Sequence, residues 1–218
     1  MCASPYRKYY DAAQAAAYQR DREGPASDHR RECGLVRRAL DGLGPGARLL
    51  DIPCGAGRMS LFLAGLGFDV HAADVSPAMV ERARLRLSTM GRAVPVEIQD
   101  LEGTTYPDRS FDAVFCFRFF HHLPDDDLRA RVARELRRIS GGRLLVSYQD
   151  SRSVASARRH LQSLLGRPKG RFPLSPRAMR EHFEQDGFRL VRDHARLPWF
   201  RSLRLLVLER SDYRPRRR

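Results

Sequence analysis

Three short runs hold the residues best placed for chemistry. The run Leu50-Asp51-Ile52-Pro53-Cys54-Gly55-Ala56-Gly57-Arg58 sets a carboxylate just ahead of a glycine-rich turn. Glycines in such a turn let backbone N–H groups approach a ligand, because no Cβ stands in the way. Asp74, 23 residues after Asp51, ends an apolar run and precedes Ser76-Pro77. A carboxylate at that remove suits the paired hydroxyls of a ribose. A dinucleotide turn wants a glycine or alanine three residues after its second glycine. Here Arg58-Met59-Ser60 follows Gly57, and Pro53 stands at the first glycine position, which counts against NAD. The third run, Cys116-Phe117-Arg118-Phe119-Phe120-His121-His122, offers imidazoles for proton transfer and a guanidinium for an anion.

These residues need a scaffold that brings them to one edge. Apolar runs at 47–52, 69–75, 94–99, 111–117 and 143–148 read as strands. Between them, 57–66, 76–90 and 125–139 carry helical patterning, with Pro77 at a first helical position and Gly141-Gly142 as a stop after the last. Strand and helix alternating in this way predict an α/β fold: a Rossmann-like, doubly wound, mostly parallel seven-stranded sheet with helices on both faces. The runs 188–197 and 202–209 predict an antiparallel C-terminal hairpin at its edge. Ahead of the sheet, helices are expected over 5–20 and 28–40, the second capped by Asp28. The expected division is an N-terminal helical lid over 1–46 and a main domain over 47–218, with a basic insert at 151–175.

The chain has 218 residues and is 42% hydrophobic, enough for a real core and too much for wholesale disorder. No apolar run approaches the roughly 20 residues that span a bilayer, and residues 1–22 lack the apolar stretch of a secretory signal. Cys2, Cys33, Cys54 and Cys116 have no metal-ligand spacing, so no zinc ribbon or disulfide framework is expected and no metal; a reducing cytoplasm fits. The formal charge is +14, and residues 111–218 hold 25 basic against 12 acidic side chains. A field of that sign favours an anionic partner, unless it is a solvated arginine-rich surface.

Taken in order, Asp51-x-Pro-Cys-Gly-x-Gly57, Asp74-x-Ser-x-x-Met79, Gln99-Asp100-Leu101, Ser110-Phe-Asp-Ala-Val114 and His121-His122-Leu123 resemble the successive motifs of class I S-adenosylmethionine (SAM)-dependent methyltransferases. The subgroup they resemble is the small-molecule type, which includes ubiquinone and menaquinone biosynthesis methyltransferases. The resemblance covers roughly residues 47–150. It implies an enzyme that moves a methyl group from SAM to a small-molecule, lipid or glycan acceptor through an O- or N-nucleophile, leaving S-adenosylhomocysteine (SAH). It implies that Asp51, Gly55 and Gly57 surround the methionine part of SAM and that Asp74 holds the ribose hydroxyls, with Val75 against the adenine. Asp100 would take the adenine amino group, beside Leu101, and Cys116 and Phe117 would face the sulfonium. His121 or His122 is the candidate base, Arg118 the candidate anchor for an anionic acceptor. Tyr9, Tyr18 and Arg31 are candidates to close over the cofactor, the arginine pairing with its carboxylate.

Each residue also has an ordinary role open to it: a plain turn for the glycines, a helix cap for Asp74, a turn for Asp100, packing for the histidines. Residues 151–180 carry eight basic side chains and no acidic one. With Val154, Ala157, Leu161 and Leu164 near helical spacing, they predict a basic amphipathic helix. That helix would rest on an anionic membrane, cover an anionic acceptor, or pack on the domain with a solvated face. The expected location is cytoplasmic, with the inner face of a membrane or a protein partner within reach. An RNA methyltransferase is the alternative that would use the charge, though no separate RNA-binding module or interleaved aromatics are present. A non-catalytic SAM-binding regulatory protein is the other.

Overall fold

A computed structural model describes residues 26–164, 172–195 and 202–213. Helix α1 (Ala26–Ala39) leads into seven strands: β1 (Arg48–Asp51), β2 (Asp69–Asp74), β3 (Val96–Ile98), β4 (Phe111–Cys116), β5 (Ser140–Gln149), β6 (Phe188–Ala195) and β7 (Leu203–Arg210). Between them lie α2 (Arg58–Gly65), α3 (Pro77–Thr89), α4 (Asp126–Ile139), α5 (Val154–Leu164) and α6 (Pro176–Phe183). The sheet order is β3-β2-β1-β4-β5-β7-β6. The first five strands pair in parallel and β7 runs antiparallel to both β5 and β6, as the sequence predicts.

Alternate residues of the strands feed two opposed cores. Leu144, Val146 and Tyr148 of β5 meet Val132, Leu136 and Ile139 of α4 and Met179 and Phe183 of α6. On the other face, Leu145, Leu205 and Val207 meet Leu35, Val36 and Ala39 of α1 with Met59 and Leu63 of α2, and α3 adds Val80, Ala83 and Leu87. Each such Leu or Val stabilises the fold by about 1.5–3 kcal/mol. The described part of the 1–46 segment is therefore core rather than lid, since α1 shares its cluster with the sheet. It starts two residues before the expected Asp28 cap.

A second correction falls at Gly141-Gly142. These residues lie inside β5 and do not separate it from α4. A Cβ at Gly141 would come within 3.0 Å of the Arg109 carbonyl oxygen, and one at Gly142 within 2.7 Å of the Asp112 carbonyl oxygen. The glycines serve close strand approach rather than termination. The expected helix over 5–20, with Tyr9 and Tyr18, lies outside the described residues.

Candidate active site

The carboxyl ends of β1 and β2 bring the two acidic runs together. Gly55 and Gly57 are both left-handed, at φ 54° and 73°, a conformation that favours glycine. They do different work. A Cβ on Gly57 would meet Ala83 Cβ at 3.0 Å, so this glycine lets the turn pack on α3, while a Cβ on Gly55 would find nothing within 4 Å. Gly55 thus leaves open room above the turn.

Asp74 ties the turn to the next strand. Its Oδ2 accepts from the Gly55 amide at 2.8 Å and its Oδ1 from the Ser76 amide at 3.0 Å. Ser76 itself caps α3, its side chain accepting from the Met79 amide. The Val75 amide bears on the same carboxylate, and with about four lone-pair sites Asp74 still has room for a further donor. Asp51 is 1% exposed, and the Ser60 hydroxyl donates to it at 2.6 Å. Burial pushes Asp51 up to about 7 and Asp74 up to about 6, hydrogen bonds opposing the shift in both. An acid-rich, desolvated edge of this kind suits a cationic ligand and repels a pyrophosphate.

The third motif forms the edge's next corner. Asp100 accepts from the Glu102 amide at 3.0 Å in a tight turn, Leu101 is buried, and Val75 packs against the same core. After β4 the expectations need correction. The Cys116 side chain is wholly buried in one core, and Phe117 stacks on Phe115 in the other at 5.3 Å between centroids. Strand alternation sends the two to opposite faces, so these side chains fill cores rather than facing a ligand. Arg118, at φ 58°, donates its amide to Ser147 Oγ at 2.5 Å and pairs its guanidinium with Glu32 at 2.7 Å. Its charge is met internally, so it anchors α1 instead of waiting for an anionic acceptor. His121 is 1% exposed and its ring lies tilted against that of half-buried His122 at 4.4 Å between centroids. That leaves His122 as the member of the pair that a ligand can reach.

Glu32 is the residue the sequence reading missed. It joins Arg58, on the glycine turn, at 2.8 Å and Arg118, on the β4 turn, at 2.7 Å. Arg31, expected to close over the cofactor, is exposed; its neighbour turns inward instead. No local signal marks Glu32, because its partners lie 26 and 86 residues further along the chain. Among the described residues no cluster of side chains fits a metal, and Cys33, Cys54 and Cys116 are free thiols.

Sheet order, glycine turn and paired carboxylates together give a Rossmann-like α/β domain with its candidate site at the carboxyl edge of the sheet. Residues 49–141 match the family model described as a methyltransferase domain. The ubiquinone biosynthesis O-methyltransferase of Xanthomonas axonopodis pv. citri is 38% identical over 113 residues, 51% of this chain and 47% of that one. The chain spans about half the length of the curated relatives it matches. Among solved structures, magnesium protoporphyrin IX methyltransferase from Synechocystis PCC 6803 with bound SAH superposes at a TM-score of 0.69, with 20% identity over 85% of this chain and 83% of that one. The [4+2]-cyclase SpnF superposes at 0.67, with 17% identity over 82% and 80%. Both likenesses speak for the fold.

Proposed function

We propose that the protein transfers a methyl group from SAM to an oxygen of a hydroxylated small molecule. The observation that carries this is the Asp74 carboxylate, buried at the carboxyl end of β2 and bonded to the Gly55 and Ser76 amides beside an open glycine turn. The residues fit the cofactor. Asp74 has room left for a ribose hydroxyl, the room over Gly55 admits the chain that bears the ammonium, and Asp51 and Asp74 supply negative potential for two cationic centres. Asp100, Val75 and Leu101 would receive the adenine. When bound, SAM supplies an electrophilic methyl carbon on a sulfonium.

The remaining work is alignment, which can lower a barrier by about 7–11 kcal/mol in well-oriented systems. A lone pair of the acceptor oxygen forms the C–O bond while the C–S pair returns to sulfur. The hydroxyl proton passes to His122, whose ring is held against that of His121. Oxygen is preferred over nitrogen because the 38%-identical relative is named an O-methyltransferase. A membrane-proximal acceptor is supported by α5, which shows Val154 and Leu161 outward. Calorimetry with SAM, SAH and NAD, followed by SAH release with hydroxylated aromatics, tests the reading. Binding of NAD in place of SAM overturns it, as does SAM binding with no turnover of any hydroxylated acceptor.

A further inference from the structure

Gln149 closes β5 at the carboxyl edge of the sheet, where ligands of open α/β sheets sit. It is 5% exposed. Its backbone is committed: the carbonyl accepts from the Leu174 amide at 2.9 Å, and the residue pairs with Leu203 of β7. The side chain is not. Its amide oxygen Oε1 is buried and accepts from no described residue. Strand alternation sets Gln149 on the same face as Leu145 and Ser147, the face that α1 covers. Ser147 on that face and Arg118 after β4 are engaged elsewhere. Ser147 Oγ takes the Arg118 amide, and the Arg118 guanidinium takes Glu32.

Buried amide oxygens are paired in the great majority of cases, because a bare one loses its water without compensation. A methionine or leucine would fill this place without that cost. A bare acceptor held at the ligand edge of a sheet marks where the donor arrives with the ligand. The acceptor's reacting hydroxyl is not that donor's whole account: an amide oxygen is far too weak a base to keep the proton that methylation displaces. The hydrogen bond must come from a group that survives the reaction.

We infer that Gln149 sets acceptor specificity: its amide oxygen accepts from a second hydroxyl or N–H of the acceptor, beside the oxygen that is methylated. This rests on the methyltransferase reading above and names the substrate class within it, a molecule with two neighbouring polar hydrogens. The transfer itself is unchanged, with the new C–O bond formed at one oxygen, the C–S pair returned to sulfur and the proton passed to His122, while Gln149 holds the other group.

Catechol and phenol are the probes, since they differ by the second hydroxyl alone. The wild-type protein should favour catechol in kcat/KM by about tenfold or more, because a site built around a hydrogen bond rejects the analogue lacking the donor. Gln149→Met should bring that ratio close to one, leave the Kd for SAH unchanged, and hold or raise the melting temperature. Three results overturn the assignment alone: equal use of both probes by the wild-type protein, an unaltered ratio in Gln149→Met, or a lowered melting temperature showing that the amide is structural. Turnover of neither probe by the wild-type protein, with SAH still bound, overturns the assignment; the O-methyl transfer reading falls with it only if no other hydroxylated acceptor is turned over.

Discussion

Asp74 holds two backbone amides before any ligand arrives, so its removal should be felt twice. Asp74→Ala should weaken SAM by about 2–3 kcal/mol, the scale of hydrogen bonds to a charged group. It should also lower stability by about 1–3 kcal/mol, because the Gly55 and Ser76 amides lose their acceptor. Calorimetry and urea denaturation read the two losses separately; unchanged SAM affinity in a folded variant removes Asp74 from the site. The raised pKa values give a second prediction. Asp51, near 7, and Asp74, near 6, stand above the ordinary aspartate value of 3.8. A carboxyl raised on folding contributes stability that is full below its unfolded pKa and lost as pH climbs through the folded one. The ligand-free protein should therefore lose stability from about pH 4 to about pH 7, a loss that Asp51→Asn reduces. A cationic ligand favours the ionised carboxylates, so SAM binding near pH 6.5 should release protons. Calorimetry in two buffers of different ionisation enthalpy detects them; proton uptake would contradict the assignment of both groups.

Helix α1 reaches the glycine turn through His29 and Glu32, both of which meet Arg58. Glu32, 8% exposed, bridges the turns after β1 and β4 through Arg58 and Arg118, and Arg118 is held in a left-handed conformation rare for its type. Glu32→Gln should cost about 1–3 kcal/mol, since two buried charge-assisted bonds weaken and two guanidiniums are left less well met. Hydrogen exchange should show the loss confined to α1 and the two turns, with β1, β4 and β5 still protected. Uniform loss across the sheet would mean that Glu32 supports the whole core instead. This bridge also marks the limit of what the sequence makes legible. Strand and helix positions follow from local periodicity, and Asp51, Gly55, Gly57 and Asp74 lie close enough in sequence to be read as one motif. Glu32 joins the turns only through contacts made across the sheet, and Gln149 stands out only by a buried acceptor left without a described donor; spacing encodes neither. Cys116 and Phe117 fail for the opposite reason: the motif locates their backbone at the right edge, but the period of two turns their side chains into the cores. Gly141-Gly142 resembles a helix stop because tight strand approach and chain termination ask for the same residue.

At the scale of the whole molecule, the charge and the fold point to the same edge. The half of the chain from 111 onward carries 25 of the 40 basic residues, and α5 leaves β5 at its carboxyl end. Among the described side chains of α5 and its first turn, polar groups lie inward and apolar ones outward. Its inner side is polar: Ser153 and Ser156 are buried, their hydroxyls donating to the Asp150 carbonyl at 3.0 and 2.6 Å. Outward it shows Val154 at 58% and Leu161 at 60% exposure, two turns apart, with Arg158 between them on the same side. No helix among the described residues is long and apolar enough to cross a membrane, so contact with lipid would lie in the plane of the surface. An apolar stripe flanked by arginine fits an anionic bilayer better than it fits RNA, which would want aromatic stacking surfaces. The protein should therefore float with phosphatidylglycerol vesicles at low salt and release as salt rises. Exchanging Val154 and Leu161 for Ser should weaken flotation at all salt concentrations, while Arg152→Gln with Arg158→Gln should flatten the salt dependence. Neither pair should move SAM affinity, because the Asp51–Asp74 edge is untouched. RNA filter binding over the same salt series is the counter-test: retention by RNA without flotation transfers the charge to a nucleic-acid partner, and retention by neither assigns the acceptor to free solution.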